Sequence, residues 1–374
     1  MAKAKYMVTS GFLGAGKTTS MTAFAQSVNR RCGRAAILAN DLGARDIVDG
    51  EYTAASSGVL TAQILGDCIC YQHEKLVDEL DRLAGQGADV IFSDIPGCGI
   101  GALDHVYLEL DRREPGQFDL MPFLCVVDPD RLRMLMPEKA ELGLPEELRF
   151  LLDAQMAEAD LIVLNKIDLL SPAEREQRLE FLAASYPNTP VMSMSALTGE
   201  GVDQVVDYLM SHASPVVHRE IGYGGEAFLA AERHFSWYGR RVFFEERNGR
   251  DVDFNAVAAD LFEHIRQGLK ESGGNVPHLK LFAAGTGTDL IKASMLGVDC
   301  PVEFSRRLER GYTAISVILN ARATAGSQVV AAVMDDAIRA AEDKYDLCSR
   351  TFFVESFGMM EEGRSNGARA SRYN

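Results

Sequence analysis

The residues best suited to chemistry form a glycine-rich segment near the amino terminus. Residues 11–18 read GFLGAGKT, which fits the spacing G-x-x-x-x-G-K-[ST] at every position. Glycines at these places let main-chain N–H groups close around phosphate oxygens, and the amino end of the following helix adds a favourable dipole. In this arrangement Lys17 reaches the β- and γ-phosphates, and the Thr18 hydroxyl binds Mg²⁺. The segment therefore predicts a nucleoside triphosphate site.

Two later segments indicate which base the site selects. An apolar run over 161–164 leads into N-K-x-D, which supplies Asn165, Lys166 and Asp168. A carboxylate at Asp168 can accept hydrogen bonds from the ring N–H and the exocyclic amine of guanine, which adenine cannot offer. The stem of Lys166 can cover the base face while its ammonium stays in water. A loop similar to the one that meets the guanine oxygen in GTPases follows the next apolar run, at Ser195, Ala196 and Leu197. The prediction is GTP.

A second acidic residue follows another apolar run. Asp94 comes directly after residues 90–93 and is followed by Ile-Pro and Gly97. A carboxylate at this place can hold Mg²⁺ through water, and the Gly97 N–H can touch the γ-phosphate, so the next loop can sense hydrolysis. Lys17, Asp94 and Gly97 are therefore the predicted catalytic residues. Because Cys98 follows where a glutamine would position water, we expect slow hydrolysis and a switch rather than a fast enzyme.

Two cysteines form a candidate transition-metal site. Cys68 and Cys70 lie just before a predicted helix, with His73 one turn further on. Thiolate and imidazole donors suit Zn²⁺ or Co²⁺, whereas the alternative is a pair of ordinary buried thiols. Because a tetrahedral site uses more than two protein ligands, we expect Cys98 to complete it when GTP is bound, with Asp41 or His73 as a weaker fourth ligand. The alternative is that Cys98 is only a small residue in a tight loop.

An alternation of apolar runs and helical patterns must position these residues. Unbroken apolar runs are typical of strands covered on both faces, and they lie at 6–10, 35–39, 89–92, 123–127, 161–164 and 191–194. Helical patterns lie between them at 17–30, 73–84 and 172–185. Alternating strands and helices imply right-handed crossovers. We therefore predict an α/β fold, a P-loop NTPase domain with a mostly parallel sheet, over residues 1–213.

The pattern changes in the second half of the chain. Residues 214–232 contain Ser-Pro and Gly-Tyr-Gly-Gly and are predicted to be a linker. Strands are expected at 234–246, 278–283, 302–319 and 351–355, with helices at 254–269 and 328–344. This β-α-β-β-α-β order predicts a smaller α+β domain of the split, ferredoxin-like type over 233–358. The polar residues 359–374 are predicted to be a flexible tail.

Composition excludes several classes of function. The chain has 38 basic and 54 acidic residues and a formal net charge of −16. Such a chain repels nucleic-acid phosphates and anionic lipid, so we expect neither nucleic acid nor membrane as a main partner. Its seven cysteines are odd in number and sparse, which argues against a disulfide framework. Without a secretory pattern or an apolar run of about 20 residues, the expected location is the cytoplasm.

Together these motifs resemble those of the CobW-type metallochaperone GTPases, relatives of the urease and hydrogenase nickel-insertion GTPases. The resemblance rests on residues 11–19, on Asn-Asp-Leu-Gly at 40–43, on Cys-Ile-Cys at 68–70 and on Ala-Asp at 159–160 before N-K-x-D. It implies GTP hydrolysis coupled to delivery of a metal ion or cofactor to a client enzyme, and a nucleotide-dependent homodimer. The implied nucleotide contacts are Gly11, Gly14, Ala15, Gly16, Lys17, Thr18, Thr19, Asn165, Lys166, Asp168, Ser195, Ala196 and Leu197.

The chain also departs from this family pattern. Tyr71 stands where the family's box has its third cysteine, and Asp94 stands where the family has a glutamate. The His-rich run of many members is missing, which argues against metal storage. These differences suggest a divergent branch that serves a corrinoid protein or another cobalt enzyme. One alternative is a nucleotide-gated switch that remodels a partner, such as a corrinoid methyltransferase system, without binding metal. A plain regulatory GTP-binding module is the other.

Overall fold

The computed structural model describes residues 3–56, 58–137 and 144–360. In this described part the chain divides into two compact units. The first is drawn from the ranges Met1–Leu42, Ser57–Glu141 and Glu146–Phe228, and the second from Gly43–Ser56, Leu142–Pro145 and Leu229–Asn374. Each unit has its own β-sheet and its own buried apolar core.

A parallel sheet forms the middle of the first unit. Its strands are β1 (Lys5–Ser10), β2 (Ala35–Asp41), β3 (Leu60–Leu65), β4 (Val90–Asp94), β5 (Asp119–Leu120), β6 (Leu124–Val127), β7 (Leu161–Leu164) and β8 (Val191–Ser193). They follow the spatial order β3-β2-β4-β1-β6-β7-β8, and β5 pairs with β1. The pairings between them are parallel. The predicted α/β class with a mostly parallel sheet is confirmed.

Helices cover this sheet because the strands between them are apolar on both faces. β6 and β7 are buried along their whole length, as expected for strands enclosed by crossover helices. Helix α7 shows the local signals: Ser171 caps it in a reciprocal capping box with Glu174, and Pro172 occupies the first turn. The α-helices up to residue 211 are α1 (Lys17–Arg31), α2 (Val48–Ser56), α3 (His73–Gly85), α4 (Glu109–Arg113), α5 (Pro129–Leu132), α6 (Leu148–Glu158), α7 (Pro172–Ser185) and α8 (Val202–Ser211). Of these, α2 belongs to the second unit.

An antiparallel sheet forms the second unit. Its strands are β9 (Ser236–Glu246), β10 (His278–Ala284), β11 (Leu290–Met295), β12 (Glu303–Arg306), β13 (Ala314–Ala323) and β14 (Leu347–Gly358), in the spatial order β12-β11-β10-β13-β9-β14. Its long helices are α10 (Phe254–Glu271) and α11 (Ser327–Tyr345), and α9 (Glu226–Arg233) precedes β9. Buried side chains of these helices and strands form one apolar core. The elements β9-α10-β10 and β13-α11-β14 form the predicted split arrangement.

The prediction was wrong in one part of this sheet. A single strand was expected over 302–319, but the structure has β12 and β13 there, separated by a segment that contains charged residues and Gly311. β11 was not predicted at all, because a strand of six residues with Lys292 in its interior has only a weak apolar pattern. β11 and β12 extend the ferredoxin-like core at the β10 edge.

The segment Gly43–Ser56, which includes α2, belongs to the second unit although it lies between β2 and β3 in sequence. The first unit also extends to Phe228. The predicted domain 1–213 is one continuous range, so it cannot represent a segment in its middle that belongs to the other unit. No local composition change marks the segment, so the sequence carried no signal for it.

Polar and apolar contacts hold this segment to the second sheet. The Asp49 carboxylate forms an ion pair with Lys280 and lies 3.5 Å from the Lys292 ammonium. The main-chain N–H of Val48 donates a 2.7 Å hydrogen bond to the Asn320 side chain. Val48 is buried in a small apolar cluster with side chains of the sheet. The cationic and apolar residues of this face therefore match the acidic and apolar residues of α2 and its first turn.

The carboxyl-terminal tail and the apolar character of the helices were also predicted from the sequence. Apart from Met359 and Met360, the predicted flexible tail over 359–374 lies outside the described residues. Within the described ranges, no helix combines the length and the apolar character needed to cross a membrane.

Candidate nucleotide site and cysteine turn

The glycine-rich loop joins β1 to α1. Gly16 caps α1 with a φ of 95°, in the left-handed region, and a Cβ at this position would lie 2.5 Å from the Asn165 Nδ2 atom. Only glycine fits such a place. The Lys17 Nζ atom donates a 2.8 Å hydrogen bond to the Gly11 carbonyl, so its ammonium lies at the loop. Thr18 and the exposed Thr19 follow on the first turn of α1.

The side chain of Asn165 connects the two loops that the sequence assigned to phosphate and base. Its Nδ2 donates to the Ala15 carbonyl at 2.9 Å, and its Oδ1 accepts from the Ala196 N–H at 3.0 Å. Asn165 is 2% exposed, so both bonds lie in a site shielded from water. The asparagine of N-K-x-D is therefore a brace between loops that are far apart in sequence.

The remaining predicted base residues surround this brace. Lys166 adopts a left-handed conformation with φ 56°, which turns the chain sharply after β7. Asp168 is exposed, and Leu197 is 77% exposed. Ser195 is buried and accepts a 3.1 Å hydrogen bond from the Thr198 N–H, which closes the turn of its loop. A carboxylate and an apolar side chain are therefore accessible beside the loop that Asn165 braces.

The acidic residue Asp94 ends β4 next to β1. It is paired in register with Thr9 and is 8% exposed. Its Oδ1 accepts a 2.9 Å hydrogen bond from the main-chain N–H of Asn40. Three residues later, a Cβ at Gly97 would lie 3.0 Å from the Leu13 main-chain nitrogen. The structure therefore brings the predicted catalytic residues Asp94 and Gly97 to the phosphate loop.

Two polar residues of α6 hold the loop after Asp94, and sequence reasoning missed both. Gln155 Nε2 donates to the carbonyls of Gly97 at 3.1 Å and Gly99 at 3.0 Å. Glu158 accepts from the main-chain N–H of Gly101 at 2.9 Å and of Leu103 at 2.6 Å. Burial raises the pKa of Glu158 to about 7, although these N–H groups and Arg219 oppose the rise. The available sequence signal was the presence of two polar residues, Gln155 and Glu158, on the apolar face of this helix.

Cys68 and Cys70 form a buried pair at a tight turn. Their Sγ atoms lie 3.0 Å apart, and the thiols are 7% and 9% exposed respectively. Burial, followed by the hydrogen bond with Cys70, raises the pKa of the Cys68 thiol. The Asn40 side chain fixes the turn, since its Nδ2 donates to the Asp67 carbonyl at 2.8 Å and its Oδ1 accepts from the Ile69 N–H at 3.0 Å. The two predicted soft-metal donors are therefore brought together.

The other predicted metal ligands do not join this pair. Among the described residues, no group of three or more His, Cys, Asp or Glu side chains is placed to hold a metal ion. His73 instead contacts Glu114, with 3.0 Å between its Nε2 and the carboxylate. The Asp41 carboxylate accepts a 2.6 Å hydrogen bond from the next N–H, and Cys98 is buried in the loop held by α6. Tyr71 hydrogen-bonds with the Tyr223 hydroxyl.

The fold and the site together define a class of protein. A parallel sheet whose first strand leads into G-x-x-x-x-G-K-T, with an N-K-x-D brace after β7, is the arrangement of P-loop nucleotide-binding proteins. The family model described as the CobW/HypB/UreG nucleotide-binding domain matches residues 5–193. The chain belongs to this family.

The similarity to curated relatives covers only part of this chain and part of each relative. The chain is 35% identical over 174 residues to the zinc chaperone YeiR of Escherichia coli (strain K12), which is 46% of this chain and 48% of that protein. It is 29% identical over 154 residues to the GTPase Era of Geotalea uraniireducens (strain Rf4), 40% of this chain and 48% of Era. The chain thus spans about half the length of the curated relatives it matches.

Solved structures show more distant likeness. HypB from Helicobacter pylori in complex with nickel aligns with a TM-score of 0.40 and 15% identity, covering 56% of this chain and 86% of HypB.

Proposed function

We propose that this chain binds GTP with Mg²⁺, hydrolyses it slowly and uses the cycle to deliver a metal ion or metal cofactor to a client enzyme. The Asn165 brace carries the nucleotide part of the proposal, because one buried side chain fixes the loop for the phosphates to the loop for the base. Family membership supports nucleotide binding independently. The base and the triphosphate are then held by one rigid framework.

The proposed roles follow from where the residues lie. Lys17, already at the phosphate loop, would bind the β- and γ-phosphates. Thr18 and Asp94 supply hydroxyl and carboxylate oxygens, which are the donors that Mg²⁺ prefers. Gly97 would contact the γ-phosphate, and Asp168 would accept hydrogen bonds from guanine. Lys166 and Leu197 would cover the base, together with main-chain groups of Ser195 and Ala196.

The thiol pair is the proposed site for the metal that is delivered. Two thiols held on one turn can take a soft cation such as Zn²⁺ or Co²⁺ once they lose their protons. The curated relative from E. coli that carries the name zinc chaperone supports this assignment. Because burial raises the pKa of Cys68, metal binding must release a proton, and metal affinity should rise with pH. The further donor would come from Cys98 when GTP is bound next to its loop.

One observation favours a second candidate function. The described residues gather no group of three metal-capable side chains, as a nucleotide-gated switch without metal would show. In that case the nucleotide cycle would remodel a partner protein, such as a corrinoid methyltransferase system. For the first function we propose that the client is a metalloenzyme or a corrinoid protein. We also propose that the chain forms a nucleotide-dependent homodimer.

Metal analysis separates the two proposals. Protein purified without chelator, with and without GTP, is analysed for bound metal beside the double variant Cys68→Ser, Cys70→Ser. The metallochaperone proposal expects metal in the wild-type protein and none in the double variant. The exposed Cys32 offers a matched control, since Cys32→Ser should keep the metal. Wild-type protein that holds no metal in either state, even after incubation with Zn²⁺ or Co²⁺, would favour the switch without metal.

A further inference from the structure

Gln155 is a fully buried amide inside the apolar face of α6. Its Nε2 lies between two carbonyl oxygens, those of Gly97 and Gly99, and donates to both. Its Oε1 accepts no hydrogen bond from the described residues. An amide oxygen facing two carbonyls would be repelled, so the donor group must take this place. The side chain is therefore oriented by the loop it holds, not by its own helix.

The loop that Gln155 holds is the one that must sense the nucleotide. It starts at Asp94, and Gly97 approaches the main-chain nitrogen of Leu13 in the phosphate loop so closely that a Cβ would lie 3.0 Å from it. A 2.7 Å hydrogen bond from the Gly99 N–H to the Pro96 carbonyl closes a turn within the segment. The position of this turn relative to the phosphate loop depends on contacts from outside the segment.

α6 supplies that restraint at two points. Gln155 binds carbonyls at the start of the loop, and Glu158, three residues later on the same helix face, binds the N–H groups of Gly101 and Leu103 at its end. Both side chains are at most 1% exposed, so water does not compete for these bonds. A donor side chain and an acceptor side chain thus hold the two ends of one loop.

We propose that Gln155 is a positioning residue for GTP hydrolysis: it keeps Gly97 in the place from which its N–H contacts the γ-phosphate. This inference rests on the proposed GTP site. Gln155 touches no substrate and acts only through the main chain of the loop. Its loss should therefore affect ligands that carry a γ-phosphate and leave GDP almost untouched, which a general structural role would not do.

The test compares Gln155→Met with the wild-type protein. Methionine has a similar length but no donor, so two hydrogen bonds to the loop are lost. We expect kcat for GTP and affinity for a non-hydrolysable GTP analogue each to fall by about tenfold, and GDP affinity to stay within about twofold. The same change at the exposed Gln177 on α7 is the matched control and should alter none of the three. If Gln155→Met does not fold, Gln155→Asn keeps the amide but is too short to bridge both carbonyls, and the same differences are expected.

Three outcomes are informative. A wild-type protein that hydrolyses GTP, with a Gln155→Met variant that folds and equals it, overturns this inference alone. A variant that loses GDP and GTP-analogue affinity equally also overturns it, because the role would then be structural. Wild-type protein that binds no GTP overturns the proposed function and, with it, this inference. Hydrogen exchange gives a second reading: the amides of residues 97–101 should exchange about tenfold faster in the variant.

Discussion

Asn40 donates its main-chain N–H to the Asp94 carboxylate at 2.9 Å, while its side chain holds the turn of the cysteine pair. Its Nδ2 binds the carbonyls of Ile64 and Asp67, and its Oδ1 accepts from the Ile69 N–H. One buried residue therefore connects the carboxylate proposed for Mg²⁺ with the turn proposed for metal. A displacement of either side with the nucleotide can reach the other through Asn40.

Replacing Asn40 with alanine should destabilise the first unit, because the side chain that holds the cysteine turn is lost. Three side-chain hydrogen bonds are lost and buried main-chain groups are left without a partner, so the free energy of unfolding should fall by about 2–3 kcal/mol. Chemical denaturation measures the effect, read from the transition in which the first unit unfolds. Asn188→Ala, at an exposed position after α7, is the control and should change stability by less than about 0.5 kcal/mol. Equal stability of the two variants would contradict the assigned role.

Lys17→Ala should abolish GTP hydrolysis without unfolding the protein. The Lys17 ammonium donates a hydrogen bond to the Gly11 carbonyl of the phosphate loop, and its proposed partner is the triphosphate. We expect a fall in kcat of at least about a hundredfold and an unchanged circular dichroism spectrum. Lys75→Ala on α3 is a suitable control at an exposed site. Turnover equal to that of the wild type would contradict the phosphate-loop assignment.

Asp168→Asn should change the base that the protein prefers. An amide at this position can donate to the exocyclic oxygen of xanthine but repels the exocyclic amine of guanine. GTP affinity should fall by about a hundredfold, and xanthosine triphosphate should become the better ligand. Calorimetric titration with both nucleotides and with ATP decides the matter, and Asp111→Asn on α4 serves as the exposed control. Wild-type protein that binds ATP as tightly as GTP would show the guanine assignment to be wrong.

Because of Glu158, the free energy of unfolding should fall as the pH rises towards neutrality. Burial raises its pKa from 4.5 to about 7 in the folded protein, so the folded state binds a proton more tightly than the unfolded state. The contribution to stability is complete below pH 4.5 and is lost as the pH rises through about 7. Within this window the slope approaches about 1.4 kcal/mol per pH unit.

Denaturation series between pH 4.5 and 8 compare the wild type with Glu158→Gln. The variant cannot titrate, so its stability should vary less with pH than that of the wild type. Glu180→Gln, at an exposed position on α7, should retain the wild-type slope. The same slope in the Glu158 variant would mean that another group causes the dependence.

Contiguous motifs in the sequence were enough to locate the proposed nucleotide site. The phosphate loop, N-K-x-D and Asp94 each follow an apolar strand, and parallel strands bring their carboxyl ends to one edge of a sheet. The role of Asn165 as a brace was not predicted, because it depends on contacts between loops that are distant in sequence.

The remaining features depend on long-range packing. The two α6 side chains that hold the loop after Asp94 have no motif of their own. The transfer of Gly43–Ser56 to the second unit leaves no mark in composition. Cys98 stays a proposed third donor for the GTP-bound state, and in the structure it is buried in the loop that α6 holds. Spacing along the chain could not supply these three-dimensional contacts.

A Co²⁺ titration followed by thiolate charge-transfer absorption tests the central claim, that nucleotide state controls metal binding. The titration is done with a GTP analogue and with GDP, on wild-type protein and on the double variant Cys68→Ser, Cys70→Ser. We predict an affinity at least about tenfold higher with the GTP analogue and no charge-transfer band in the double variant, and by linkage Co²⁺ must raise affinity for the analogue by the same factor. Equal Co²⁺ affinity in both nucleotide states, or an unchanged band without the two thiols, would contradict the account.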